Sequence, residues 1–317
     1  MFPERLSKRA RYRLRPSRRS LLGAGLAVFA GASFGGPANW SGPAFAQAGD
    51  RIVVAGGVIT EVLYALGLQE RIAGVDSTSQ FPPKALQDKP NIGYVRALSA
   101  EGVLSLNPSL IMLIDGAGPP DAVALLAESG VAIARIADGM TPEGVAAKIV
   151  AIGAAVGATE PAARLAAQTT ARFRELAALR AGLPPQKRVL FVLSLQNGRA
   201  LVGGRNSSAD AIIGLAGGIN VAGAIEGYKP MTDEAILAAA PDMVLMMRNS
   251  SAHNTTPDEL FALPAFSRTP AAATKRLVHM DGLYLLGFGP RTPFAARDLM
   301  AAIYPQAAIP ALPASAP

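Results

Sequence analysis

Twenty consecutive residues without proline or glycine, Ala162 to Ala181, lie near the middle of this chain. Thr159 is placed to cap them, Glu160 falls in the first turn, and Pro161 occupies an early helical position where its missing N–H costs nothing. At 1.5 Å per residue this is roughly 30 Å of helix. Its apolar stripe is mostly Ala and Leu, and Gly182-Leu183-Pro184-Pro185 ends it. Strand–helix alternation flanks it on both sides, so the segment reads as a rigid connector between two α/β lobes.

The alternation is clear before the connector. Ile52-Val53-Val54-Ala55 is an apolar run followed by Gly56-Gly57. A helical pattern of Val58, Val62, Leu63 and Leu66 stops at Gly67, and Ile72-Ala73-Gly74-Val75 is a second short strand. Strand–helix–strand of this length is the parallel βαβ unit. Leu110 to Ile114 and Val131 to Ala134 continue it, with a helix from Asp121 to Ser129 between them, and strands restart at Arg188 to Leu193. The halves also repeat. Ser99 to Leu113 aligns without a gap on Thr232 to Met246. Each copy has a Ser or Thr cap, a Glu in the first turn, a short helix, a Pro seven residues after the Glu, and a buried strand. Two copies of one unit point to duplicated lobes.

The first 46 residues read as an export leader. Arg5, Lys8, Arg9, Arg11, Arg13, Arg15, Arg18 and Arg19 precede an uncharged stretch from Ser20 to Gly36, and Ala44-Phe45-Ala46 is a small-x-small cleavage signature. Arg18-Arg19 within Ser17 to Leu22 fits the twin-arginine form. Ser20 to Gly36 has too few large side chains to supply the roughly 20 apolar residues of a membrane span. The net charge of the whole chain is +7, and the leader with its single acid, Glu4, carries all of it. The 22 basic and 22 acidic residues beyond the leader balance, which removes the nucleic-acid and acidic-membrane readings that a basic chain would otherwise invite. Zero cysteines exclude thiolate metal sites, Cys nucleophiles and thiolate haem ligation.

Catalytic sets are missing from the sequence. The histidines are His253 and His279, and there is no nucleophile elbow, P-loop or His-Glu-x-x-His. Gly203-Gly204-Arg205-Asn206 and Leu215-Ala216-Gly217-Gly218 lack dinucleotide-binding spacing. Two lobes, a connector and export suggest a binding protein, not an enzyme, with its ligand in the cleft between lobes.

Several segments carry a resemblance to the periplasmic substrate-binding proteins of ABC importers, in the group with a helical backbone between lobes, and within it to the haem-binding branch. They are Val58 to Gly67, Gly93-Tyr94-Val95-Arg96-Ala97-Leu98-Ser99-Ala100-Glu101-Gly102, Gly227-Tyr228-Lys229-Pro230 and Leu286 to Pro293. The likeness runs from about Arg51 to Pro305. It implies two Rossmann-like lobes joined by a single long helix: an N-terminal lobe over 51–158, the connecting helix over 159–182 and a C-terminal lobe over 183–306. The leader over 1–46 precedes them, and the Pro- and Ala-rich 307–317 reads as a loose tail.

By the same resemblance Tyr94 is the axial ligand to the iron of a transported ferric haem b. A phenolate is a hard anionic donor that suits Fe(III), but a free phenol ionises only near pH 10. Arg96, two residues on in an extended segment, is placed to hydrogen-bond the anion. Arg248, Tyr284, Tyr228 and Lys229 are further candidates as cleft walls or propionate partners, and His253 and His279 are weaker ones. Arg291 sits in a Gly- and Pro-rich motif that reads first as a structural turn. Some relatives bind a second haem through a His after the first strand of the second lobe, where this sequence has Ser194-Leu195-Gln196-Asn197. Glu101 and Glu234, one per lobe, are implied as docking residues for the permease, whose ATPase would drive import, with the binding protein acting as a monomer. Helix-end stabilisation is the other reading of both acids. A ferric siderophore or cobalamin carrier of the same fold is the alternative ligand class, and an exported enzyme acting on a small metabolite the alternative from another class.

Overall fold

The computed structural model describes residues 51–196, 199–248 and 254–313. The expected leader, Asn197, His253 and the last four residues of the expected tail lie outside them.

The N-terminal lobe comprises β1 (Ile52–Ala55), α1 (Gly57–Ala65), β2 (Ile72–Val75), α2 (Lys84–Asp88), α3 (Ala100–Leu104), β3 (Leu110–Ile114), α4 (Pro120–Glu128), β4 (Ala132–Ile136) and α5 (Pro142–Ala155). Its four strands run in the order β2-β1-β3-β4, all parallel, as the strand–helix alternation requires. α6 (Thr159–Ala181) follows. Ala158, not Thr159, holds the capping position, and no side chain caps the helix.

The C-terminal lobe comprises β5 (Arg188–Gln196), β6 (Arg199–Gly203), α7 (Ser208–Leu215), β7 (Ile219–Asn220), β8 (Tyr228–Met231), α8 (Asp233–Ala239), β9 (Met243–Arg248), α9 (Pro257–Ala262), α10 (Pro270–Ala273), β10 (Leu277–Asp281), α11 (Gly282–Leu286) and α12 (Thr292–Ile303). Its sheet runs β10-β9-β5-β6-β8 with β7 beside β5. β10, β9 and β5 are parallel, as in the first lobe, while β6 pairs antiparallel with both β5 and β8. The alternation did not disclose this antiparallel extension, because β6 follows β5 without a helix.

The repeat is visible in three dimensions. α3–β3 and α8–β9 occupy equivalent places, each strand pairing in parallel with the first strand of its lobe. Ser99 Oγ accepts from Gly102 N, and Thr232 Oγ1 accepts from Ala235 N. Asn107 and Ala240, equivalent positions before the shared proline, both adopt left-handed backbone, at φ 46° and 41°.

α6 packs along α5 and also against α7 and α12, so it is clamped to both lobes. A methyl at Gly153 would come within 2.1 Å of the Ala162 Cβ, which is how closely α5 and α6 approach. One apolar cluster runs unbroken from Ile52 and Val62 through Ala166 and Phe173 to Phe191 and Leu299. Separate clusters fill the opposite faces of the two sheets, beneath α3 and α4 in one lobe and α8 to α10 in the other. Where a loose tail was expected, Ala307 and Ile309 pack on the main core, Leu312 is buried, and Arg297 Nε donates to the Pro310 carbonyl.

Candidate functional site

The carboxyl ends of the two parallel strand sets face one another. α1 starts directly after β1 and α11 directly after β10. These two junctions meet, since a methyl on Gly57 would come 3.0 Å from the Leu283 Cδ1. Side chains take up the first N–H groups at the N-terminus of α1. The buried Asp76 carboxylate accepts from Gly56 N at 2.9 Å, and Thr78 Oγ1 accepts from Gly57 N at 2.9 Å. Asp76 also accepts from Thr78 N, Thr78 Oγ1 and Ser79 Oγ.

Tyr94 stands on the first lobe's carboxyl rim. Ser77 N, just past β2, donates to the Gly93 carbonyl, and Leu98 N donates to the Gly118 carbonyl, just past β3. The segment is not extended, as the sequence had suggested. Ala97 N donates to Tyr94 O at 2.8 Å, closing a turn with Val95 and Arg96 at its centre. Val95 is buried in the core under α3, so Tyr94 and Arg96 on either side of it are left in solvent. Tyr94 is 49% exposed, and neither its hydroxyl nor the Arg96 guanidinium has a partner among the described residues. A large aromatic held outward by a buried neighbour, with an unused hydroxyl, costs apolar exposure that the fold does not need.

On the second lobe's rim Arg248 ends β9, exposed, and pairs in register with Asp281 at the end of β10. His279 lies two residues back from that rim. Burial first, then the Arg248 charge, holds its imidazole below the ordinary range, and its buried Nε2 has no partner among the described residues. Tyr284 donates its hydroxyl to Asp298 Oδ2 at 2.8 Å. Burial, that hydrogen bond and the Asp298 charge push its phenol far above the ordinary value. The Tyr284 hydroxyl is thus committed to Asp298. Tyr228 stands edge-on to Phe191 and its hydroxyl shares a hydrogen bond with Ser208 Oγ. It and the exposed Lys229 lie on β8, the far edge of the sheet, three strands from Arg248. The structure thus groups Tyr94 with Arg96 on one rim and Arg248 on the other. It sets Tyr228 and Lys229 apart from them.

One polar cluster was not read from the sequence. Arg291 Nη2 donates to Glu61 Oε2 at 2.9 Å and Arg291 N to Glu61 Oε1 at 3.2 Å, joining the second lobe to α1 of the first. The guanidinium lies 3.6 Å over the Phe81 ring and 5.2 Å from that of Tyr284, one aromatic from each lobe. Lys148 on α5, its side chain fully buried, donates to Asp138 at 2.5 Å and to the Phe288 carbonyl at 3.1 Å. The motif from Leu286 to Pro293 is thus a turn, as read, and also the tie between lobes. Its partners lie 140 and 230 residues away, so no local pattern could reveal them. The available hint was a lone Lys inside the apolar helical run Val145 to Ile152.

Glu101 and Glu234 occupy the first turns of α3 and α8, both exposed. A backbone N–H and the Thr232 hydroxyl hold the Glu234 carboxyl below its ordinary value. Among the described residues no group of three or more His, Asp or Glu could hold a metal ion, and no helix is long and apolar enough to cross a membrane.

Two α/β lobes whose first strand–helix junctions meet, tied by one helix and a shared apolar cluster, define a bilobal binding-protein fold. The chain belongs to the periplasmic binding protein family, whose model matches residues 52–283. Among solved structures it is similar to the periplasmic haem-binding protein RhuT from Roseiflexus sp. RS-1 in its apo form, at 40% identity and a TM-score of 0.77, over 81% of this chain and 98% of that one. It is similar to the periplasmic haem-binding protein BhuT in complex with two haems, at 38% identity and 0.76, over 80% and 97%. A periplasmic haem-binding protein from Pseudomonas aeruginosa matches at 33% identity and 0.75, over 83% and 95%.

Proposed function

We propose that this protein is exported to the periplasm by a twin-arginine leader, captures ferric haem between its lobes, and delivers it to the permease of an ABC importer. The observation that carries the reading is Tyr94, half-exposed on the cleft rim with an unpartnered hydroxyl. Three haem-binding relatives at 33–40% identity support it.

Tyr94 binds the haem iron axially as its phenolate, a hard donor matched to Fe(III). Arg96, two residues on and also exposed, neutralises the developing anion by a charge-assisted hydrogen bond. Arg248 faces the ligand from the second lobe and pairs with a propionate. Tyr284 contributes only its ring. Ser194 to Asn197 supplies no imidazole where some relatives bind a second haem, and the stoichiometry is read from the titration below. Glu101 and Glu234 meet cations on the permease, one from each lobe.

Titration of the purified mature protein with hemin, followed by its visible spectrum, tests the ligand claim. The expected result is a saturable one-to-one shift that is lost in Tyr94→Ala. No shift, or the same shift in that variant, overturns it, and saturable binding of cobalamin or a ferric siderophore instead moves the protein to that class. Glu101→Lys with Glu234→Lys is expected to abolish uptake while leaving haem affinity intact.

A further inference from the structure

We propose that Arg51 and Arg188 are positioning residues for permease docking: each ties the trailing end of its lobe's docking helix to the first strand, and so sets where Glu101 and Glu234 stand. The inference rests on the docking reading above.

The two arginines make the same contact in both lobes. Arg51 directly precedes β1 and Arg188 opens β5. Arg51 donates from Nε at 3.0 Å and Nη2 at 2.7 Å to the Leu106 carbonyl, just past α3. Arg188 donates from Nε at 3.0 Å and Nη2 at 2.5 Å to the carbonyl of Ala239, the last residue of α8. Leu106 and Ala239 are equivalent positions of the repeat. So are Ser109 and Asp242, whose side chains accept from Arg51 N at 2.9 Å and Arg188 N at 2.8 Å. Ser109 N and Asp242 N donate back to the Arg51 and Arg188 carbonyls. Each helix end is thus tied to its strand by both backbone and guanidinium.

These helices depend on their ends. α3 has five residues and buries Ala100 and Val103; α8 has seven and buries Ile236. Helices this short are not stable on propensity, and little packing holds them. The carbonyls of a last turn lack intrahelical partners, and a cation there also suits the helix dipole. α3 runs from the carboxyl rim, where Leu98 N meets Gly118 O, back to the amino edge of the sheet at Arg51. α8 does the same, from Met231, which reaches the carboxyl end of β5 through Ala200, back to Arg188. The fork therefore grips the end opposite the docking acid and keeps both acids on the ligand-bearing rim, at a spacing that a two-point interface reads. Both arginines are exposed and remote from the cleft, so haem contact does not account for them.

The test uses the mature hemin-loaded protein and its permease–ATPase complex in lipid nanodiscs, and reads the concentration that half-saturates ATPase stimulation. Arg51→Met and Arg188→Met keep the apolar stem and remove the fork. Each is expected to raise that concentration roughly three- to tenfold, with the double variant worse and Lys at either position restoring part of the loss. The maximal stimulation and the hemin titration are expected to stay at parent values. A double variant, or the Arg51→Leu, Arg188→Leu pair should Met impair folding, that half-saturates like the parent at a temperature well below its melting point overturns the proposal. Charge reversal at Glu101 and Glu234 is the control. Reversal that abolishes stimulation while the arginine variants dock normally sinks the positioning role alone; reversal without effect sinks the docking reading and this inference together.

Discussion

Arg291 holds a buried partner, since Glu61 is only 5% exposed. Arg291→Ala strips that buried carboxylate of its counter-charge and leaves it the backbone N–H of residue 291 alone, and is expected to lower unfolding stability by about 3 kcal/mol in denaturant titration. Glu61→Gln is expected to cost less, because the guanidinium it strands keeps 23% side-chain exposure and two aromatic faces. His279 supplies a pH signature. In the unfolded chain its imidazole takes a proton near pH 6.5, whereas in the folded protein burial and Arg248 delay this to lower pH. Between the two values the unfolded state binds more protons, so the contribution of neutral His279 is whole above 6.5 and is lost as pH falls through the folded value. His279→Leu is expected to flatten the decline in melting temperature between pH 7 and 5. Tyr94 was legible as a residue because its motif is local. The turn that presents it was not, since that turn depends on Val95 reaching the core under α3.

Among the elements, α5 and α6 approach so closely that no side chain fits between them at Gly153. Gly153 has no positive φ to justify glycine; space alone requires it, as an added methyl would overlap Ala162. Gly153→Ala is expected to force the helices apart and cost about 1–3 kcal/mol, seen as a lower denaturant midpoint at unchanged slope. Ala240 offers the reverse case. It holds left-handed backbone at φ 41°, where its repeat partner is Asn107, a residue that tolerates that region. Ala240→Gly is expected to stabilise by about 0.5–1 kcal/mol by the same measurement. The helix–strand repeat was readable because capping residues, Glu and Pro recur at fixed spacing. The antiparallel β6 and β8 were not, since short strands flanked by Gly look alike whichever way they pair.

For the molecule as a whole, the continuous core through α6 and the Glu61–Arg291 and Lys148–Phe288 ties leave little freedom for the lobes to swing. Hemin binding is expected to leave the radius of gyration from solution scattering unchanged to within about 1 Å, in contrast with hinge-closing binding proteins. Arg291→Ala combined with Lys148→Met is expected to raise the radius of gyration before it unfolds the lobes.

The sequence by itself determined the elements whose signals are local: the proline- and glycine-free helix, the βαβ alternation, the duplicated capped unit and the candidate Tyr94. Composition added the charge balance beyond residue 46. Tertiary structure alone decided which distant residues meet. It paired Glu61 with Arg291, seated Lys148 under Phe288, committed the Tyr284 hydroxyl to Asp298, and set matching arginine forks behind Glu101 and Glu234. The reason is physical. Periodicity and capping act over one or two turns of chain, whereas a buried charge or a close helix contact depends on groups brought together only when the whole core forms.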